Sequence, residues 1–470
     1  MEEEFDDFFG SDEYQELVNR YEDMRRNKQQ FFFDVVEFEN IIDYYIDINK
    51  ANQALDAVQY ASKLHPSSIT LQMKKAQVFL DKGNFRRALE ILNEVERIEF
   101  QNSDVYLLKG MALNVAKRYS DAEQAFDNAV EYAGDEERLD MLQNIAFSFE
   151  HLGRYNQALK YLHQARELDP KNLLILYDLG YCYERMGDRE KSITLYKSFL
   201  DGDPFSENGW YNLANLYYRL ERFRESIDAY EFALAINPDL SIVYFNLANA
   251  RVHMEQYEKA IADYKKFIEY DGENSEVEYY MGDCYENLND FEQAIQHYRN
   301  STRYDEEYAN GYYGLASALY EKGDNLEALT QVNKAISIED DNADFLYLKG
   351  NIYYGMGDFR GALKPYKQAY KINSDDYDFI IALVDAHLSL NQYDEAAHLL
   401  LTALDKKDKF AIYHYRLSSI YFKAGNPEKA LFFAEEGLKT DRHQYPELFT
   451  FNADIYNQKE LVELIQKYTD

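Results

Sequence analysis

Between residues 207 and 238 the apolar positions follow a helical period twice, on either side of a polar break. In ENGWYNLANLYYRLERFRESIDAYEFALAINP, Trp210, Leu213, Ala214 and Tyr217 fall at i, i+3, i+4 and i+7, one face of a first helix. Ser226, Tyr230 and Ala233 define the face of a second helix, and Arg222 and Phe223 mark the turn between them. Pro238 stops the second helix, because it has no N–H to donate and its ring clashes with the preceding turn. Neither helix can bury its apolar face alone, so the pattern requires neighbours.

The chain supplies them by repetition. Steps of 34 from Ser226 reach Ser192 and Ala158 upstream, and one step of 36 then leads to Ala122, Ala88 and Ala54. Downstream lie Ala260, Ala294, Ala328, Ala362, Ala396 and Ala430. A small residue recurring there lets two helices cross closely. A second small column runs through Ala76, Gly110, Ala146, Gly180, Ala214, Ala248, Gly282, Ala316, Gly350 and Ser418, with Ile42 and Val384 as exceptions. A third is large and mostly aromatic, including Tyr45, Phe79, Phe149, Tyr183, Tyr217, Tyr285, Tyr353 and Tyr421.

With these columns in place, the chain resembles the tetratricopeptide repeat (TPR) family, whose unit reads W-x2-L-G-x2-Y…A-x3-F…P. Trp210, Leu213, Ala214, Tyr217, Ser226, Tyr230 and Pro238 follow that pattern, and about twelve units fit residues 35–442. The resemblance implies an all-α TPR solenoid, a right-handed superhelix of helix–turn–helix repeats. The expected layout is an acidic, disordered tail over 1–12 and an N-terminal helix over 13–34. Units one to three follow over 35–134, units four to twelve over 135–442, and capping helices over 443–470. The extra residues of the long step fall at Gly134–Arg138 and predict a longer loop or looser joint. Pro365, inside the tenth unit's second helix, predicts a bend or a late start there.

Charge narrows the partners. Acidic residues number 85 and basic residues 50, a net −35. Nucleic acid and anionic membrane surfaces are disfavoured, because phosphates need Lys and Arg to neutralise them. Basic or mixed partners are favoured. The same charge also serves solubility. The two cysteines, Cys182 and Cys284, occupy equivalent places in units three apart and read as buried thiols of a reducing compartment. The chain opens Met-Glu-Glu-Glu, with no basic region followed by an apolar run, and no apolar stretch approaches membrane-spanning length. A cytoplasmic location is expected, with no membrane insertion.

In TPR arrays the first helices carry a second face that lines a concave groove. Carried over residue by residue, the resemblance gives an aromatic stripe of Tyr177, Tyr211, Phe245, Tyr279, Tyr313 and Tyr347, continuing through Ile381 and Tyr415. Beside it run Tyr181, Asn215, Asn249, Asp283, Ser317, Asn351 and Asp385, with Asn212 and Asn246 in the adjoining column. Asn side chains donate and accept, so they can pair with peptide backbone whatever its sequence. Aromatic faces add apolar area and cation–π contact. Carboxylates including Glu150, Asp178 and Glu286 outnumber cations such as Lys74, Arg185, Arg219, Arg416 and Lys423 on this face. An extended basic or mixed peptide fits that chemistry, although the tyrosines could equally pack between helices. The Tyr211 column holds no Lys, so the family's carboxylate clamp is absent. Only Asn212 and Asn246 match the asparagine ladder known in the family.

No H-E-x-x-H, Gly-rich phosphate loop or G-x-S-x-G occurs, and the nine histidines are scattered. The expectation is a non-catalytic interaction scaffold without metal or cofactor, binding a partner along units five to ten. A substrate-recruiting subunit of an enzyme complex and a self-assembling structural protein remain open alternatives, as does a homo-oligomer.

Overall fold

The computed structural model describes residues 12–27, 31–406, 410–451 and 458–469, and among them there is no β-strand. Twelve helix pairs run from Val35 to Asp441. The first is Val35–Asp47 with Ala51–Leu64, and the last is Ala411–Lys423 with Pro427–Asp441. The acidic segment 1–11 lies outside the described residues, so the expectation for it does too.

Local chemistry sets where each helix begins. Asp34 caps the first pair in a reciprocal box: its carboxylate accepts from the Glu37 N–H at 2.8 Å, and Glu37 accepts from the Asp34 N–H at 2.9 Å. Side chains of Ser68, Asn102, Asn172, Asn274, Asn342 and Asp376 accept from the first turn of other first helices in the same way. The turn inside each pair is closed by one residue in the left-handed region. These residues are Asn49, Gly83, Lys117, Gly153, Gly187, Glu221, Glu255, Asn289, Gly323, Gly357, Asn391 and Gly425, all at one register. At Gly83 the bonds are those of a Schellman end: Gly83 N–H to the Leu80 carbonyl and Asn84 N–H to the Phe79 carbonyl, both 2.7 Å.

All twelve residues of the Ala54–Ala430 column are fully buried. The second small column makes room for a ring rather than for bare backbone. A Cβ added at Gly282 would lie 2.7 Å from the Tyr298 ring, and one at Gly350 would run into the Tyr366 ring. Cys182 and Cys284 are buried free thiols. The helix containing Pro365 starts on time at Phe359 and runs unbroken to Ile372, with the proline buried. The expected late start does not occur. Gly361, one turn earlier, carries the carbonyl that Pro365 cannot bond.

The chain forms two compact units, Met1–Tyr217 and Tyr218–Asp470, each a stack of helix pairs. In the first, the Asp12–Asn27 helix lays Val18, Tyr21 and Met24 on the first pair, in one cluster with Phe33, Phe38 and Ile41. Residues after Gly134 form a turn leading into the Arg138–Glu150 helix. In the second unit, Leu448, Leu461 and Ile465 pack on Ala411, Tyr415, Ala434 and Leu438, closing the last pair with the helices Pro446–Phe451 and Lys459–Thr469.

Candidate functional site

In the first unit the Leu173–Arg185 helix buries Ile175, Leu176, Leu179, Gly180 and Cys182 against its neighbours. Its opposite face carries Leu174, Tyr177 and Tyr181, at i, i+3 and i+7, with exposures of 58, 48 and 39 %. Phe147, on the preceding first helix, is 58 % exposed and stands edge-on to His151 with 4.2 Å between ring centres. Tyr181 meets Tyr155 edge-on at 6.1 Å. These four apolar side chains belong to successive first helices, and two of them, Tyr177 and Tyr181, are exposed where the sequence placed them. Phe147 and Leu174 were not among the expected residues. Phe147 lies one step of 34 upstream of Tyr181, so extending that column would have found it.

Two carboxylates lie on the same helices. Burial pushes the Glu150 carboxyl up to about 7, the Cys182 thiol donating to it at 3.3 Å pulls it back, and nearby Asp178 adds to the rise. Burial also raises Asp178. Among the described residues no Lys or Arg forms an ion pair with either carboxylate. Arg185, on the same helix as Asp178, gives its Nε–H to the Tyr155 hydroxyl at 3.1 Å. Tyr211, Asn212 and Asn215, on the next first helix, are half-buried.

The second unit treats the same columns differently. Phe245, Tyr279, Tyr313 and Tyr347 are all half-buried. Phe245 packs on Phe267 at 5.5 Å and on Tyr264 and Tyr280 at 6.0 Å. Tyr279 packs on Tyr298 at 5.6 Å and on Tyr308 at 6.0 Å. Tyr313 stacks on Phe345 at 5.1 Å, and Tyr347 meets Phe379 at 5.2 Å. Further along, Ile381 and Tyr415 are buried.

The polar column is also engaged, through a departure from the family pattern. Where the pattern has Phe in the second helix, this chain often has Tyr, and the added hydroxyl reaches across to the first helix. Tyr264 donates to Asn249 Oδ1, and Tyr366 donates to Asn351 Oδ1 at 2.8 Å. Tyr298 donates to Glu286 at 2.9 Å, and Ser317 donates to the same carboxylate at 2.9 Å. Burial raises both Asp283 and Glu286. Asn246 is half-buried. Several cations of this face are likewise spoken for: Lys74 is paired with Asp43 at 2.6 Å in the first unit, and Arg416 with Asp385 at 2.7 Å in the second. Arg416 also lies over the Phe451 ring at 4.2 Å, beside a 440 Å³ depression that Lys423 borders.

Among the described residues no group of His, Cys, Asp and Glu is arranged to hold a metal ion. None of the described helices is long and apolar enough to cross a membrane.

Comparison with known proteins bears on the repeat itself. No curated protein matches the sequence. Many solved structures do. Yeast Tom70 matches at 15 % identity over 92 % of this chain and 99 % of its own, with a TM-score of 0.42. The Cut9–Hcn1 hetero-tetramer of the APC/C matches at 12 % identity over 93 % and 97 %, with a TM-score of 0.39. YrrB, described as a TPR protein with an unusual peptide-binding site, matches at 20 % identity over 40 % and 96 %, with a TM-score of 0.34. Models of the tetratricopeptide repeat match residues 73–136, 151–216, 208–240, 245–299, 353–415 and 411–444, and a TPR repeat model matches 282–323 and 316–357. These matches cover well over half the chain and fall on the helix pairs described above: the chain belongs to the tetratricopeptide repeat family.

Proposed function

We propose that this protein is an interaction scaffold, with no catalysis of its own, that binds a partner segment on the first-helix face of its first unit. One observation carries the reading: Phe147, Leu174, Tyr177 and Tyr181 stay exposed together beside the desolvated carboxylates of Glu150 and Asp178. Large apolar side chains left in water cost free energy that a partner recovers by covering them. Aromatic side chains are also the residues on which binding energy concentrates. A carboxylate that burial has driven up regains stability when a Lys or Arg side chain arrives beside it. The partner is therefore a protein segment presenting apolar side chains and at least one cation, a basic or mixed peptide. Tyr211, Asn212 and Asn215 extend this surface along the next first helix. Phe245, Asn246, Asn249, Tyr279, Asp283, Tyr313, Tyr347 and Asn351 serve mainly as framework in the second unit. A cytoplasmic location suits the buried free thiols.

The test is capture of partners from native lysate on the full chain, followed by mass spectrometry, with wild type and with Tyr177→Ala/Tyr181→Ala. Proteins retained by wild type and lost by the folded double variant support the site. Identical retention by both would overturn it.

A further inference from the structure

The helix Phe359–Ile372, second of the tenth pair, carries Arg360, Lys364, Lys367 and Lys371 and no acidic residue. All four cations are exposed, and none forms an ion pair among the described residues, in a chain with 85 acidic residues. They line one shallow depression of 450 Å³ together with Leu363 and Gln368. The spacing repeats like charges at i, i+3 and i, i+4, which works against the helix by about 0.2–0.5 kcal/mol per pair. At the foot of the patch, burial and the Lys364 charge both lower the Lys349 ammonium. Among the described residues the nearest negative charge along the chain is the Asp358 carboxylate, which is engaged as the helix cap by the Gly361 N–H at 2.9 Å.

We infer that this face is a second docking surface, taking a short acidic segment of a partner protein. From Arg360 to Lys371 the helix rises about 16 Å. An extended chain covers that length with about five residues. A short run of Glu or Asp thus matches the four cations, while Leu363 offers an apolar contact between them. Polyanions of larger footprint fit less well, because the patch occupies one helix of a chain with net charge −35. At about 0.1 M ionic strength the Debye length is roughly 10 Å, so a short peptide feels the patch and little of the surrounding negative charge. A duplex or a vesicle surface would lie against that negative charge as well. The surface is separate from the first-helix face of the first unit, so the protein would hold two partners of opposite charge character.

The probe is fluorescein-labelled hexaglutamate, followed by anisotropy on the full chain at about 0.1 M ionic strength. Saturable binding that weakens at least tenfold in Arg360→Gln/Lys364→Gln/Lys367→Gln/Lys371→Gln, and survives in Lys364→Arg/Lys367→Arg/Lys371→Arg, is the expected result. Tyr177→Ala/Tyr181→Ala should bind the probe as wild type does, which separates this surface from the one proposed above. All four side chains are exposed, so the variants should keep the helical circular dichroism of wild type. Failure of wild type to bind, or equal binding by the Gln variant, would overturn the proposal. So would tighter binding of a short DNA duplex or phosphatidylserine vesicles through the same four residues.

Discussion

Tyr177 in the first unit and the aromatic stripe of the second occupy the same register in different surroundings. Tyr177 is exposed, whereas Tyr313 and Tyr347 are half-buried under Phe345 and Phe379. The position that supplies Phe345 and Phe379, one pair further on, is Gly209 in the pair after Tyr177. At Tyr177, Tyr313 and Tyr347 the exposure of the ring goes with what the following pair places over it, whereas Tyr279, which faces Gly311, is covered instead by Tyr298 and Tyr308. Within the second unit, Tyr264 and Tyr366 send hydroxyls to the polar stripe, and Tyr298 sends one to Glu286 on the same first helix as Asp283.

The largest effect should come from breaking the packed stripe. Tyr347→Ala removes a ring held by Tyr366 and Phe379 and should lower stability by about 2–4 kcal/mol, read as an earlier denaturant midpoint. Tyr177→Ala should stay within about 0.5 kcal/mol of wild type. Equal losses at the two sites would end the distinction. Next, Phe147→Ala should weaken a partner captured by the first unit about tenfold or more without moving that midpoint.

A smaller effect depends on pH. Glu150 goes from an ordinary 4.5 to about 7 in the folded protein, so the folded state binds the extra proton between those values. Stability at this site is then greatest below about 4.5, falls as pH rises towards 7, and is level above it. Glu150→Gln should remove that decline and gain about 1 kcal/mol at pH 8, after allowance for partial exposure. Unfolding curves taken across this range would detect it. A basic partner reverses the preference by favouring the carboxylate, so its affinity should rise over the same interval. Smallest of all, Glu221→Gly and Glu255→Gly should each stabilise by about 0.5 kcal/mol, since both residues hold the left-handed turn conformation and glycine's greater freedom in the unfolded chain offsets part of the relief.

Much of this molecule is readable from its letters. The 34-residue columns predict all twelve pairs, because a buried small residue such as Ala294 or Gly282 is dictated by the ring or helix against it, and that neighbour recurs with the repeat. The turn column was less visible, since glycine fills only half of it and Lys117, Glu221 and Asn391 carry no such mark. The stripe misleads for another reason. Its register is set within one helix, while its exposure depends on Gly209 or Phe345 in the following pair. Long cations escape column reasoning as well: Lys74 and Arg416 reach across to Asp43 and Asp385 on neighbouring first helices. The charge of Arg360, Lys364, Lys367 and Lys371 was in plain view, but that none of the four is ion-paired among the described residues is a fact of three dimensions.

The identical left-handed turn in all twelve pairs has a consequence for descent. Every pair turns in the same geometry at the same register, so a duplication or deletion of one whole repeat in the coding sequence leaves each remaining pair intact. Losses and gains in other lengths would shift the turn out of register and expose the buried columns. An ancestral array of this kind can grow or shrink by whole modules, keeping individual surfaces intact while altering how many separate them.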